Sequence, residues 1–358
     1  MDLLSRLLLP AIRDNEPPSE SRERMRRDAL SLSREGFEDL VALANTNHVI
    51  VRGLEEFQRL AVDAKDDMHA DWAATALARE RARIANALPY LASVCNAFEE
   101  ARYKVSVIKS LDHLPDLGSD LDLFTDAGAD DVIMLMKTRF GAQIAPRSWG
   151  DRLAGKWNFL LPGLPEAVEV HVGMLGQTGE QASIAASLLG RTRVVTAGVF
   201  EFRVPSASDR LILSVLQRMY RHFYFRLCDV VDSAELADSG AINYAELRSE
   251  AETANIWEGV ATYLAIISDY VRRYRGSGID LPRMVLTAVR FGGDAIYFAR
   301  GFLRIPILPQ SASLYGSQLA GILRRRELMN GARLFLLPCL ATAALIGEKI
   351  TGSDKGIW

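Results

Sequence analysis

The alternation of hydrophobic and polar residues divides the chain into three regions. Residues 1–100 carry apolar positions at helical spacing, including a long stretch from Ala70 to Glu100 with few helix breakers. Residues 101–205 change to short apolar runs separated by turn residues, which is typical of strands. Residues 206–358 return to a helical period. The pattern predicts an α+β fold in which a small mixed sheet is flanked by N-terminal and C-terminal helical regions.

The central region is predicted to contain one helix, near residues 130–140, and six strands. The strands are Val105–Ile108, Asp120–Thr125, Trp157–Leu161, Val168–Val172, Arg193–Ala197 and Phe200–Val204. Residues 162–165, Pro-Gly-Leu-Pro, predict a turn that pairs its two flanking strands as a hairpin. That hairpin would carry Glu169 beside the strand that begins at Asp120.

Composition is that of an ordinary globular protein. The 358 residues are 49% hydrophobic and 24% charged, and this length suits two or three packed units. The net charge of −3 offers no general attraction to nucleic acid, so such a partner would need a local basic face. Arg218, Arg221 and Arg226 form the obvious candidate.

Cysteine usage and the N-terminal sequence bear on location. Cys95, Cys228 and Cys339 lie far apart in apolar contexts, which is typical of buried reduced thiols rather than of a disulfide or zinc framework. Residues 1–10 have an acid near their start and no basic segment before an apolar core, so no secretion signal is expected. The apolar run Leu334–Gly347 is shorter than the roughly twenty residues that span a bilayer. We expect a cytoplasmic protein without a transmembrane segment.

Two carboxylates stand inside the predicted strand Asp120–Thr125. Because strand side chains alternate between faces, Asp120 and Asp122 point to the same side. Carboxylates this close repel each other, and a hard divalent cation relieves the repulsion by binding both. Glu169, among apolar neighbours on a later strand, would be a third ligand. The sequence therefore predicts a metal site.

Residues before these acids are suited to phosphate. Lys109 and Ser110 stand where an apolar run gives way to a loop, and an ammonium and a hydroxyl there can hold phosphate oxygens. Gly118 and Ser119 are the alternative, because glycine lets the backbone approach a phosphate closely.

The hairpin supplies further candidates. Lys156 and Trp157 would contact triphosphate and base, with Arg147 and Arg152 in the flanking loop, although a solvated charge is the ordinary role of each such residue. His171 shares the strand face of the third acid and would orient it. A histidine that is satisfied within the core is the alternative.

In order and spacing, these residues resemble the nucleotidyltransferase superfamily, with its DNA polymerase β-like fold. That pattern is a Gly-Ser or similar pair, about ten residues, an Asp-x-Asp strand and a later acid. The matching residues are Lys109, Ser110, Asp120, Asp122 and Glu169. The chain is similar, more narrowly, to a bacterial family of uncharacterised nucleotidyltransferases, in which a histidine two residues after the third acid corresponds to His171. The likeness covers roughly residues 40–240.

The resemblance extends to a helix predicted over Ser208–Ala237, similar to a basic family helix that ends in an Arg-x-x-Asp step. Arg218, His222, Arg226 and Asp229 follow one another at spacings of four, four and three. On one helix these residues would share a face. We expect that face to contact phosphate or nucleotide.

The resemblance implies a nucleotidyltransferase core in the central region, at residues 101–205. It implies an enzyme, dependent on Mg²⁺ or alternatively Mn²⁺, that transfers a nucleoside monophosphate from a nucleoside triphosphate such as ATP to a hydroxyl acceptor and releases pyrophosphate. Asp120 and Asp122 would bridge two ions. Glu169 would complete the ligand set or act as general base.

The acceptor stays open. A small molecule is mildly favoured over tRNA or protein, because the chain is acidic and lacks a long basic track. Glu169 stands where aspartate is usual and Ser110 where glycine is commoner, which leaves a second interpretation, a catalytically silent nucleotide- or partner-binding module with the same fold. A third is a toxin-like enzyme that modifies tRNA. The oligomeric state does not follow from the sequence.

Overall fold

The protein has an α+β fold, as the hydrophobic pattern predicts. The structure, a computed structural model, describes residues 1–9, 20–336 and 338. Its α-helices are α1 (Asp2–Leu8), α2 (Glu20–Leu30), α3 (Arg34–Thr46), α4 (Ile50–Asp63), α5 (Asp67–Glu100), α6 (Ala129–Phe140), α7 (Trp149–Leu153), α8 (Ala182–Leu188), α9 (Ala207–Gln217), α10 (Leu227–Asp238), α11 (Tyr244–Thr253), α12 (Trp257–Arg275), α13 (Arg283–Leu286), α14 (Ala312–Arg324) and α15 (Leu328–Phe335). Its strands are β1 (Val105–Val107), β2 (Asp120–Thr125), β3 (Gln143–Ile144), β4 (Lys156–Leu160), β5 (Ala167–Val172), β6 (Thr192–Ala197), β7 (Phe200–Pro205), β8 (Tyr224–Phe225), β9 (Tyr297–Ala299) and β10 (Phe302–Arg304).

The central sheet has the strand order β1-β2-β5-β4-β3. β2 and β5 run parallel, and the other neighbouring pairs are antiparallel. In the parallel pair Asp122 lies opposite Glu169 and Phe124 opposite His171. In the hairpin β4–β5, Lys156 lies opposite His171. The register thus gathers polar residues from three strands on one face.

The other face of this sheet is apolar and buried, which is the reason for the alternation in the sequence. Leu121, Leu123, Phe159, Val168 and Val170 are all fully buried. They belong to one hydrophobic cluster that also includes residues of the long helix α5 and of the later helices. Burial on this side fixes the register of the strands, because a slip by one residue would exchange the faces.

The predicted strands of the central region are confirmed to within about two residues at each end, and the predicted hairpin is β4–β5. The helix predicted near residues 130–140 is α6, and the long helical stretch is α5. The two-residue strand β3 and the short helices α7 and α8 were not predicted, because each is too short to show a period.

The single helix predicted over Ser208–Ala237 is wrong. α9 ends at Gln217, a π-helical turn follows at Arg218–His222, and Phe223 then adopts φ 56°. The next two residues form β8, which pairs with β10 in a three-stranded sheet completed by β9. The region after Ser206 is therefore not purely helical, since pairing with residues far along the chain replaces local periodicity there.

In the part of the chain that the structure describes, no helix combines the length and hydrophobicity needed to cross a membrane. The apolar run Leu334–Gly347 lies largely outside the described residues, and so does Cys339. Cys95 and Cys228 are buried free thiols, as expected from their apolar contexts.

Candidate functional site

Lys109 occupies a strained turn at the end of β1. Its backbone has φ 64° and ψ −57°, and the amide of Ser110 donates to the carbonyl of Ile108 at 2.7 Å, which is a γ-turn with positive φ. Residues other than glycine rarely adopt this backbone conformation, and residues strained in this way concentrate at functional sites. The Lys109 ammonium lies 2.6 Å from Oδ1 of Asp122. The turn therefore places a positive charge against the acidic strand.

Ser110 ties the first residues of β2 to this turn. The ladder between β1 and β2 ends at the pair Val107 and Leu123. Beyond it, the Ser110 hydroxyl donates to the carbonyl of Asp120 at 3.0 Å and accepts from the amide of Asp122 at 2.8 Å. Ser110 is 2% exposed. Because its only proton is used by the backbone, this placement favours a structural role over the predicted phosphate contact.

The three predicted acids and His171 lie on one face of the parallel pair β2–β5. One ligand atom from each of Asp122, Glu169 and His171 lies within 4.8 Å of the others. His171 Nε2 is 2.8 Å from Glu169 Oε1 and 3.6 Å from Asp122 Oδ1. Asp120, two residues before Asp122, projects from the same side of β2 and is exposed. This group is called the acidic site below.

Two lysines pair with the carboxylates. Lys156 is 2% exposed, and its Nζ lies 2.6 Å from Glu169 Oε1; Lys109 Nζ lies 3.6 Å from the same oxygen. Burial alone would raise the pKa of Glu169, but these two ammonium groups and the hydrogen bond from His171 outweigh it and hold the pKa well below its usual value. Burial and the charge of Arg221 lower the pKa of Lys156 to about 8.

The remaining two groups of the acidic site differ in protonation. Burial and the nearby lysines lower the pKa of His171, so the ring is neutral at pH 7. Its hydrogen bond to the carboxylate of Glu169 requires the proton on Nε2. The pKa of Asp120 is raised to about 6, because partial desolvation and the charges of Asp122 and Glu169 outweigh the nearby positive groups. Asp120 therefore changes its ionisation close to neutral pH, and a bound cation would favour its ionised form.

A basic cluster lies beside the acidic site, at the π-helical turn Arg218–His222 and the start of α10. Burial and the positive charges of four neighbours hold the pKa of His222 well below its usual value. These neighbours are Arg221, Arg218, Lys156 and Arg226. Among the described residues, the buried Nε atoms of Arg221 and Arg226 have no hydrogen-bond partner. Guanidinium groups with unused donors are suited to phosphate, and π-helical turns frequently occur at functional sites.

The predicted alignment of the basic residues and Asp229 on one helix face is wrong, because α9 ends before Arg218. The chain instead turns back, so that Arg218 Nε lies 2.7 Å from Asp229 Oδ2. Arg218 is 2% exposed, and Asp229 Oδ2 also accepts from the amide of Arg226 at 2.6 Å. Arg218 is therefore part of the scaffold that positions Arg226, while His222 and Arg226 themselves lie near the acidic site.

Arg83 of α5 holds the loop that leads into β2, a role the sequence did not predict. It donates to Glu166 Oε1 at 2.7 Å, to the carbonyl of Leu117 at 2.8 Å and to that of Gly118 at 3.3 Å. Glu166 directly precedes β5, so one guanidinium fixes the starts of both acidic strands. In the sequence Arg83 stands three residues after Glu80 on a helix, which resembles a surface ion pair.

The predicted phosphate contacts Gly118 and Ser119 lie directly before the acidic strand. Gly118 is buried against His48, and a Cβ added there would lie 3.6 Å from the imidazole ring. Ser119 is exposed. A bulky side chain at Gly118 would press on His48, whereas Ser119 is accessible to a ligand.

The predicted base contact at Trp157 faces away from the acidic site. Trp157 follows Lys156 on β4, and neighbouring strand residues point to opposite faces. The guanidinium of Arg147 lies 3.8 Å from the centroid of its ring, and that of Arg152 lies 5.9 Å from the ring of Trp149. These two arginines therefore lie against the ring of Trp157 on β4 and the ring of Trp149 in α7.

Comparison of the chain with protein-family models found no match, and a search among curated proteins found none either. The interpretation of the site therefore depends on its own residues.

Proposed function

We propose that the protein is a Mg²⁺-dependent nucleotidyltransferase that transfers a nucleoside monophosphate from a nucleoside triphosphate to a hydroxyl acceptor. The observation that carries the proposal is the placement of Asp122 opposite Glu169 on adjacent parallel strands, with Asp120 on the same side. The γ-turn at Lys109 and the basic cluster add positive groups for an anionic substrate. A small molecule is the favoured acceptor.

The donor set fits the metal. Asp120, Asp122 and Glu169 offer carboxylate oxygens, the ligands that Mg²⁺ prefers, and Asp120 is exposed to arriving ions. These three residues would hold Mg²⁺, which when bound neutralises triphosphate charge and lowers the pKa of an acceptor hydroxyl. His171 is an unfavourable Mg²⁺ ligand but donates to Glu169, so it would fix the orientation of that carboxylate.

The other groups of the site would act on the nucleotide. Lys109 and Lys156 balance the buried carboxylates, so that the acids can stay ionised at close range. Arg221 and Arg226 would donate to phosphate oxygens, because a guanidinium group matches the geometry of phosphate and both arginines lie in the basic cluster beside the acidic site. Glu169, ionised through a depressed pKa, is a weak base and is better suited to hold the metal than to take the hydroxyl proton.

A second candidate is a nucleotide-binding module without catalysis. The observation in its favour is that each of the two less exposed acids already has an ammonium partner at 2.6 Å, Asp122 with Lys109 and Glu169 with Lys156. In that function the lysines replace the charge of the metal, and the basic cluster binds triphosphate that is not turned over.

The test measures pyrophosphate release from each of the four ribonucleoside triphosphates with Mg²⁺, in the presence of cell extract as a source of acceptors. Native protein is compared with Asp122→Asn, which keeps the side-chain size, and with the control Asp130→Asn at an exposed position in the first turn of α6. We expect release with the native chain and the control, and a loss of at least about a hundredfold in the Asp122 variant.

The extract identifies the acceptor class. Fractions that pass a small-pore filter should support release if the acceptor is a small molecule, whereas loss after ribonuclease or protease treatment would assign RNA or protein. Nucleotide binding by the native chain without pyrophosphate release from any fraction would reject the transferase and support the silent module. No nucleotide binding at all would reject both.

A further inference from the structure

A second cluster of potential metal ligands lies apart from the acidic site. It consists of His48, His113 and Cys228, and one ligand atom from each lies within 4.8 Å of the others. The thiol sulfur of Cys228 is 3.8 Å from Nε2 of His113, and the two imidazole rings have centroids 5.6 Å apart. Two ligands of one tetrahedral zinc ion, at about 2.1 Å for nitrogen and 2.3 Å for sulfur, lie about 3.5 Å apart. The spacing is close to that of a zinc site.

His113 is held in the orientation of a metal ligand. Its Nδ1 is hydrogen-bonded to Asp232, and this fixes the ring with Nε2 directed at the thiol of Cys228. Asp232 is in turn paired with Arg52 at 2.7 Å. A histidine whose second nitrogen is bound to a carboxylate is the usual arrangement around zinc, because the carboxylate sets the tautomer and raises the basicity of the ligand nitrogen.

The three ligands come from separate segments of the chain, two of which are already joined by hydrogen bonds. His48 lies in the turn between α3 and α4, with φ 53°, His113 in a 3₁₀ turn after β1, and Cys228 in the first turn of α10. The side-chain oxygen of Asn47 accepts a hydrogen bond from the amide of Leu227 at 3.0 Å, and its backbone carbonyl accepts one from the amide of Cys228 at 3.2 Å. The ligands are therefore positioned without the ion. Burial raises the pKa of the Cys228 thiol, so the ion would displace the thiol proton as it binds.

The charges around the cluster are mixed. Arg226 Nη1 lies 3.4 Å from Nδ1 of His48, which opposes a cation. Asp232 is already paired with Arg52. The negative charge against Arg226 would therefore come from the Cys228 thiolate that forms on metal binding. Two imidazoles and one thiolate form a donor set that selects zinc over magnesium or calcium. With three protein ligands, the fourth position would be taken by water.

We propose that His48, His113 and Cys228 bind a Zn²⁺ ion. The ion would link the α3–α4 turn, the segment after β1 and the start of α10. Because Gly118 is packed against His48 and Arg226 contacts the same ring, the zinc site would fix the approach to the acidic strand and one arginine of the basic cluster. This inference does not depend on the proposed transferase activity.

The test measures metal directly. The full chain, purified without a polyhistidine tag from cells grown with added zinc, is dialysed and analysed for metal by mass spectrometry. We expect about one zinc ion per native chain, and less than a tenth of that in Cys228→Ser. The controls Cys95→Ser and Cys339→Ser should retain zinc. Co²⁺ added to the chelator-treated chain should give thiolate charge-transfer absorption that Cys228→Ser lacks.

Two further variants separate the outcomes. His48→Gln, at a half-buried position, should lose most of the zinc while circular dichroism shows a folded chain, so that misfolding of the Cys228 variant does not decide the result. Asp122→Asn should keep zinc, because that residue belongs to the acidic site. Zinc-free native protein that also gives no cobalt spectrum would overturn the proposal, as would stoichiometric zinc in folded Cys228→Ser.

Discussion

Substitution of Ser110 tests whether its hydroxyl is structural. In Ser110→Ala, the amide of Asp122 and the carbonyl of Asp120 lose their partner at a position that is 2% exposed. Each lost hydrogen bond costs about 1 kcal/mol, and a buried polar group left unpaired adds to it. We therefore expect the free energy of unfolding to fall by about 2 to 3 kcal/mol.

The assay is urea denaturation of the full chain, with the change taken from the midpoint at constant slope. Ser119→Ala is the matched control, because Ser119 is exposed, and it should change stability by less than about 0.5 kcal/mol. Amide hydrogen exchange should also accelerate in peptides that cover the start of β2. Unchanged stability of Ser110→Ala together with weaker nucleotide binding would refute the reasoning and restore the predicted phosphate contact.

Two further predictions concern the scaffold. Asp66→Ala, which removes the cap that accepts from the amide of His69 at 3.1 Å and the partner of the buried His69 ring at 2.7 Å, should cost about 1 kcal/mol or more at pH 7 by thermal unfolding. The hydrogen bond from the His69 amide lowers the pKa of Asp66. The stabilisation by Asp66 should therefore be complete above about pH 5 and should decline as the pH falls through the ordinary aspartate pKa near 3.9 and below. An equal loss of stability in Asp66→Ala at pH 2 and at pH 7 would contradict this. Arg218→Met leaves the buried carboxylate of Asp229 without its ion pair and should cost about 3 kcal/mol or more in urea, against less than about 1 kcal/mol for Arg34→Met at an exposed pair. Equal losses of unfolding free energy in the two arginine variants would show that the buried ion pair contributes no more to stability than the exposed one.

The hydrophobic pattern predicted the central sheet well because each of its longer strands buries one face. β2 alternates polar and apolar residues from Asp120 to Leu123, and β5 does so from Val168 to Val172, a period that no helix shares. β8 is different, since Tyr224–Phe225 is too short for any period and pairs with Leu303 and Arg304 far along the chain. The sequence around Tyr224 does not indicate a strand partner so distant, and the helix predicted there was therefore wrong.

The acidic site was predictable where its chemistry is local. Asp120 and Asp122 share a face by strand geometry, and the predicted hairpin gave β5 its place in the sheet, where parallel pairing with β2 sets Glu169 opposite Asp122. The sequence did not indicate Arg83 or His48, because their roles arise from contacts with Gly118 that depend on the packing of α5 and of the α3–α4 turn. Ser110 does lie beside the acidic strand, but its hydroxyl bonds the backbone of Asp120 and Asp122 rather than being left for a phosphate. The sequence could not indicate these partners, because they depend on where the pairing of β1 with β2 ends.

The parallel pairing of β2 and β5 also determines where the chain can change in length. Residues 126–154, which lie between β2 and β4, take no part in the pairing of Asp122 with Glu169, whereas Lys156 and Glu166 later in the connection hold β5 in place. Loops within residues 126–154 can gain or lose residues while the carboxylates stay opposite each other. One residue inserted between Ala167 and Glu169 would turn Glu169 and His171 toward the apolar face. Related chains with an intact site should therefore vary in length within residues 126–154 and never inside β5.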